Sequence, residues 1–386
     1  MSIIVGQAVR KKDFWDRKDE LLDIWEAIES GSHVLISAPR RVGKTSIMYK
    51  VFDEPKENYI PIYIDTESAD SENEFWQKLF HALLEEDFVN KLESKVKTFW
   101  SSLKSLKIKK ISSLGVEFSE GELLDYKEAF KRLLKDLQND KKLIIMIDEF
   151  AQTIENIIKY EDEKHALSLL KVHRELRQDS KVSNKVCFIY AGSIGLESVV
   201  AKMNAAKYIN DLNSIKVLPL TLDEATAFSK KLFTNNNMEI PIVSIEYMLQ
   251  KIEWLIPFYI QLITQELKKL YRKHANIDNN TVDVAIENAL EHRNHFESWQ
   301  GKLKEAFEKN EYLLAKEILN IIAQNSTINN LEIINCAVKH KLDEEQAKEI
   351  VHSLVYDGYI NNSDDIKIYR FNSAILKMWW YKNVTH

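Results

Sequence analysis

Four residues carry chemistry by type and spacing: Lys44 and Thr45 early in the chain, Asp148 and Glu149 about a hundred residues later. The stretch Ala38-Pro39-Arg40-Arg41-Val42-Gly43-Lys44-Thr45-Ser46 stands between an apolar run, His33 to Ser37, and a helical pattern, Lys44 to Phe52. Strand, loop and helix in that order are the context that a Walker A phosphate loop requires. Backbone N–H groups and the helix dipole there would cradle a β-phosphate, Lys44 would bridge β- and γ-phosphates, and Thr45 would ligate magnesium. The residues available to hold the phosphates are Pro39, Arg40, Arg41, Val42, Gly43, Lys44, Thr45 and Ser46. A chance Gly-Lys-Thr in a surface turn is the competing reading of this stretch alone.

The second pair closes the run Leu143-Ile-Ile-Met-Ile147, five apolar residues of the kind that fill a buried parallel strand. Asp148 would hold magnesium through water, and Glu149 would orient or deprotonate an attacking water. Their alternative role is to cap the next helix as N-cap and first-turn acids. The combination with the earlier loop favours the chemical role. After a further strand, Val186 to Ala191, Ser193 follows Gly192 and is positioned either to sense a γ-phosphate or simply to make a turn.

Positioning these residues takes a particular set of elements. Strand-like runs fall at 33–37, 59–65, 143–147, 186–191 and 215–220. Helical patterns fall between them at 44–52, 72–86, 124–137 and 166–176. Alternation of that kind predicts an α/β fold with a five-stranded parallel sheet and helices on both faces. An insertion at 87–121 holds an amphipathic helical pattern and a hairpin around Gly115. From 221 to 310 the pattern is helical, broken at Asn235-Asn236-Asn237 and Pro257, with Thr281 as a cap; this reads as a lid. Residues 311–386 read as helices at 311–323, 329–340 and 343–356, then Gly358, a two-strand wing through Arg370 and an aromatic helix, the order of a winged helix. The expected domains are 1–220, 221–310 and 311–386.

Composition bounds the function classes. Nine glycines and six prolines in 386 residues exclude collagen-like and linker-rich chains, and 45% hydrophobic with 29% charged residues excludes wholesale disorder. A net charge of −6 gives no bulk attraction to polyanions, so nucleic-acid binding would need a local patch. Cys187 and Cys336 lack metal-site or disulfide-framework spacing, and with no signal-peptide or membrane-length apolar stretch the expected location is cytoplasmic. One local anomaly exists. From Lys91 to Lys110 seven lysines face a single acid, Glu93, with Leu92, Val96, Phe99, Trp100, Leu103 and Leu106 at helical spacing. This basic insertion reads either as a partner, membrane-surface or nucleic-acid contact or as a helix that packs on the core with solvated lysines.

Taken in order, Asp16-Arg17-Lys18-Asp19-Glu20-Leu21, the Pro-Arg-Arg-Val-Gly-Lys-Thr-Ser loop, Ile-Ile-Met-Ile-Asp-Glu-Phe, Tyr-Ala-Gly-Ser-Ile and Pro257-Phe-Tyr-Ile260 resemble the archaeal-type P-loop ATPase family, on the STAND side of the AAA-like proteins. The resemblance covers nearly the whole chain, with Ala38 in place of the usual first glycine as its clearest departure. It implies a P-loop NTPase core, a helical lid and a C-terminal winged helix, with ATP and Mg2+ as cofactors. It also implies Phe14, Trp15 and Arg17 near an adenine pocket, and the segment around Pro257 packed over nucleotide. No arginine occurs from Glu253 through Leu267, where AAA-like lids often carry a sensor arginine. Arg40, Arg41, Arg174 and Arg177 are the remaining candidates to reach a γ-phosphate, Arg174 and Arg177 reading more readily as surface helix residues.

The expected function is an ATP-binding, slowly hydrolysing switch that couples nucleotide state to partner binding, with Glu149, Lys44 and Ser193 as catalytic candidates. The expected partners are proteins or further copies of the chain, meeting the winged helix or the basic insertion 91–110. The alternatives are an ATP-dependent DNA-binding protein of origin-recognition or transposition type and a nucleotide-binding scaffold without turnover. The third helix of the winged helix, Leu342-Asp343-Glu344-Glu345-Gln346-Ala347-Lys348-Glu349, carries four acids and one lysine, which disfavours DNA.

Overall fold

The structure, a computed structural model, describes residues 1–85, 108–112, 115–118, 124–137, 140–192, 195–273, 276–362 and 365–385. The chain divides into two units: Arg17–Ser37 with Lys44–Val217, and Met1–Asp16 with Ala38–Gly43 and Leu218–His386.

The first unit is built on strands β1 (His33–Ser37), β2 (Tyr59–Asp65), β5 (Lys142–Asp148), β6 (Val186–Ala191) and β7 (Leu212–Lys216). They form one parallel sheet in the order β2-β5-β6-β1-β7. Val34 to Ile36, Leu143 to Ile147 and Val186 to Ala191 are buried, as strands covered on both faces must be. Helices α1 (Lys18–Glu29), α2 (Lys44–Asp53), α3 (Glu72–Ala82), α4 (Tyr126–Asp136), α5 (Phe150–Tyr160), α6 (Glu163–Gln178) and α7 (Leu196–Lys202) complete it. Phe75, Trp76, Phe80, Phe130, Phe150 and Phe188 fill one large core between helices and sheet. A separate antiparallel hairpin, β3 (Ile108–Ser112) and β4 (Gly115–Phe118), lies at the expected turn near Gly115. The basic amphipathic stretch before it lies outside the described residues, as does Ser193.

One local expectation is corrected here and one helix is added. The fifth strand runs from Leu212 to Lys216 rather than from 215 to 220, because β1 offers partners only from His33 to Ser37 and Pro219 has no N–H to donate. The helix expected at 166–176 is α6, capped by the Asp162 carboxylate accepting from the His165 N–H, and α5 is a further helix before it.

The second unit contains α8 (Leu222–Asn235), α9 (Ile242–Ile252), α10 (Pro257–Tyr271), α11 (Asn279–Leu290) and α12 (Arg293–Ala306). Thr221 and Glu224 start α8 with a capping box. The α11 cap is Asp278, three residues before Thr281; its carboxylate accepts from both the N–H and the hydroxyl of Thr281. An acceptor at the N-cap position serves the first-turn N–H groups, whereas Thr281 is already inside the turn. The C-terminal part holds α13 (Lys309–Asn325), β8 (Ile328–Asn329), α14 (Asn330–Lys339), α15 (Glu344–Tyr356), β9 (Ile360–Asn362), β10 (Ile368–Phe371) and α16 (Ala374–Asn383). Its strands pair in the order β8-β10-β9, and Trp379 and Trp380 are buried there. Among the described residues no helix is long and apolar enough to cross a membrane.

Candidate functional site

In the parallel sheet, β1 and β5 flank β6 and end on the same edge, so the chain leaving β1 and the two acids closing β5 emerge together at the carboxyl ends of the strands. That edge is where open α/β sheets bind ligands. The loop after β1 delivers Lys44 as the first residue of α2, where it is buried at 7% exposure. Thr45 follows, and its hydroxyl donates to Asp148 Oδ2 at 2.7 Å.

Asp148 is 2% exposed. Its Oδ2 accepts a second hydrogen bond from the Tyr63 hydroxyl at 2.9 Å, and its Oδ1 accepts the Glu149 backbone N–H at 3.1 Å. Among the described residues no cationic side chain completes this set. Burial, and then the neighbouring Glu149 charge, push the Asp148 carboxyl above its ordinary pKa; the donors Thr45, Tyr63 and the Glu149 N–H work against that rise. A carboxylate with its hydrogen-bond sites turned to a loop hydroxyl suits a hard divalent cation. These residues fit magnesium.

Glu149 occupies the N-cap position of α5 with φ +55°, a left-handed conformation uncommon for a non-glycine residue. Its side chain makes no capping hydrogen bond. The capping reading of the two acids therefore fails at Glu149. Beneath it, Thr66 donates N–H and hydroxyl to the Asp148 carbonyl, and the Thr153 hydroxyl donates to Thr66 and to the Glu149 carbonyl. These buried bonds fix the backbone that carries both acids.

The preceding part of the loop, Ala38–Gly43, belongs to the other unit. Gly43 has φ +109°, and a Cβ added there would meet nothing within 4 Å, so the turn needs glycine for its backbone angle and opens onto free space. Arg41, at φ +66°, lays its guanidinium 4.1 Å over the Phe258 ring and donates from Nη2 to Ser298 Oγ at 2.9 Å. Arg40 Nη1 reaches the Ser298 carbonyl at 3.4 Å. Burial lowers the Arg41 pKa to about 10, which leaves it charged at neutral pH, and its buried Nη1 has no hydrogen-bond partner among the described residues. An orphaned cationic donor in a Walker A-like loop suits an anion. Pro39 packs under Gly358 and Trp254: a Cβ at Gly358 would come within 2.6 Å of Pro39 Cβ and 3.2 Å of the Trp254 ring. Val42 and Ser46 are buried at the two ends of the turn.

Pro257 opens α10 at its first position, where its fixed φ suits the helix start, and so sets Phe258 beneath Arg41. Arg17 is buried before α1 at φ +69° and pairs with Glu20 at 2.8 Å. Trp15 packs against Phe228 with Lys231 over its ring, and its buried indole Nε1 has no hydrogen-bond partner among the described residues. Arg177 is corrected from a surface residue to a buried one: at 4% exposure it donates to both oxygens of Asp211 and to the Tyr208 carbonyl. That commitment removes it from the arginines available to a phosphate. Sequence reasoning missed Tyr63 and Ser298, and placed Gly358 before the wing without its contact with Pro39; a tyrosine two places before the acidic end of β2, beside the strand carrying Asp148, was the one available signal.

An ATPase domain predominantly from Archaea matches residues 14–252. The chain belongs to that family. It is also similar to the Walker-type ATPase PABY2304 of Pyrococcus abyssi, at 20% identity and TM-score 0.68, with 98% of this chain and 99% of that one covered. The Aeropyrum pernix ORC2 protein, in ADPNP–ADP complexes, is similar in fold at 10% identity and TM-score 0.57, covering 95% and 93% of the two chains. No curated protein matches by sequence. ATP binding goes with the family and the P-loop fold.

Proposed function

We propose that this protein is an ATP-binding, slowly hydrolysing switch of the AAA-like, STAND type, in which the state of the phosphate loop is passed to a lid (221–310) and a winged helix (311–386). The observation that carries the reading is the seating of Pro39, Arg40 and Arg41 against Phe258, Ser298 and Gly358. A loop that must close around phosphates cannot change conformation without disturbing those contacts.

In this reading Lys44 and the loop N–H groups bind the β- and γ-phosphates, Arg41 adds a buried positive charge, and Trp15 and Arg17 serve the adenine end. Magnesium, held by Thr45 and through water by Asp148, would neutralise charge on the phosphate oxygens. Glu149 orients and takes a proton from the attacking water, with Ser193 as a further candidate. Slow turnover is supported by the arginine-free lid stretch from Glu253 to Leu267 and by Arg177 being bound to Asp211. Phosphate release by the purified chain tests the reading. Release that disappears in Lys44→Ala and Glu149→Gln supports it, and release unaffected by both variants would overturn it.

The partner in this reading is a protein or another copy of the chain, and the location is cytoplasmic, in keeping with two buried free cysteines. Glu344, Glu345 and Glu349 are exposed on α15, the helix that a winged helix presents to a DNA groove. Tight, salt-sensitive binding to duplex DNA would turn the reading to the origin-recognition type.

A further inference from the structure

We infer that Tyr63 is a positioning residue for the magnesium site, holding the Asp148 carboxylate in place from the neighbouring strand. This rests on the magnesium-nucleotide reading of Lys44, Thr45 and Asp148.

The sheet register places the side chain where it can act. β2 and β5 run parallel with Tyr63 opposite Met146 and Asp65 opposite Asp148. Side chains alternate along β2. Ile60, Ile62 and Ile64 enter the large core, while Tyr63 projects to the other face, half-buried, its ring 4.7 Å from that of Tyr49 on α2. From there the hydroxyl reaches diagonally to Asp148 Oδ2 at 2.9 Å.

Two hydroxyls therefore donate to one carboxylate oxygen, Thr45 from the loop side and Tyr63 from the sheet side. They are not equivalent. Thr45 sits where a metal ligand is required, so its orientation answers to the ion, whereas Tyr63 stands on a strand and is clamped by Tyr49. Tyr63 thus keeps the Asp148 carboxylate turned toward Thr45 whatever the loop does. Partners of this outer kind orient a ligating carboxylate, and losing one typically lowers metal affinity about 10-fold or more.

Tyr63→Phe removes the hydroxyl and keeps the ring on Tyr49. The test is binding of a fluorescent ATP analogue to the full chain, titrated with Mg2+ and repeated in excess chelator. The expected result is that the Mg2+ concentration giving half the metal-dependent gain in binding rises about 10-fold, while metal-free binding stays at its wild-type value. An unchanged Mg2+ requirement overturns the proposal. A fall in metal-free binding parallel to the loss of Mg2+ response also overturns it, because it makes Tyr63 a structural residue only. Failure of the underlying reading is distinct: the wild-type chain itself would then show no Mg2+-dependent nucleotide binding.

Discussion

Gly358 offers a sharp test of whether the phosphate loop and the C-terminal part act together. In Gly358→Ala the new Cβ would lie 2.6 Å from Pro39 Cβ and 3.3 Å from Pro39 Cγ, with the Trp254 ring at 3.2 Å on another side. Neither a proline ring nor a buried indole yields easily, so overpacking of this kind costs about 1–3 kcal/mol. The backbone adds its own term, since φ is +82° and an alanine there costs about 1 kcal/mol. Gly31→Ala is the matched control: φ is +85°, yet nothing lies within 4 Å of its Cβ, so only the backbone cost of about 1 kcal/mol applies. Denaturant unfolding of both variants, with titration of a fluorescent ATP analogue, separates the contributions. Gly358→Ala is expected to lose about 2–4 kcal/mol and to bind nucleotide more weakly, because the least costly escape for the new methyl is displacement of Pro39 and the loop behind it. Gly31→Ala is expected to keep wild-type affinity. Equal stability losses in the two variants, with nucleotide affinity unchanged in both, would refute the reasoning.

Other expectations follow from the same geometry. Arg41→Leu removes a charge that burial disfavours, its folded pKa being lowered to about 10, so the unfolding midpoint should hold or rise while nucleotide affinity falls about 10-fold by calorimetry. His33 is buried and neutral, donating from Nε2 to the Arg177 carbonyl and accepting the Phe188 N–H, with its pKa lowered to about 4 by burial. The unfolded chain therefore binds more protons between about pH 6.5 and 4. Stability should be level above that window and fall through it by up to about 3 kcal/mol from this group, with the fully buried His173 acting in the same direction. His33→Gln should flatten the acid limb of a pH-dependent unfolding series, and an identical limb would count against that assignment. Arg177→Met leaves Asp211 without its bidentate partner and should cost about 3 kcal/mol in denaturant unfolding.

The parallel core was legible because both-face burial writes itself into sequence as unbroken apolar runs: Leu143 to Ile147 and Val186 to Ala191 could hardly be anything else. The three C-terminal helices were legible from periodicity, and each lies within two residues of its expected bounds. Weaker signals misled. Leu212-Asn213-Ser214 lacks a strand pattern but pairs with β1 because the register demands it, and Arg177 looked like a solvated helix residue because its partner Asp211 stands 34 positions away. Of the site, the motif residues carried their own signal. Tyr63, Ser298 and the Pro39 contact of Gly358 did not, because each matters through a contact between distant parts of the chain that no local pattern encodes.

The central claim is that Lys44, Thr45 and Asp148 form a magnesium-nucleotide site, and equilibrium calorimetry of ATP binding, with and without Mg2+, tests it most directly. The account predicts saturable binding strengthened by Mg2+ in the wild-type chain and weakened about 10- to 100-fold in Lys44→Ala, the loss expected for one charge-assisted contact to phosphate. Equal ATP affinity in the two proteins, or no response to Mg2+ in the wild type, would contradict it.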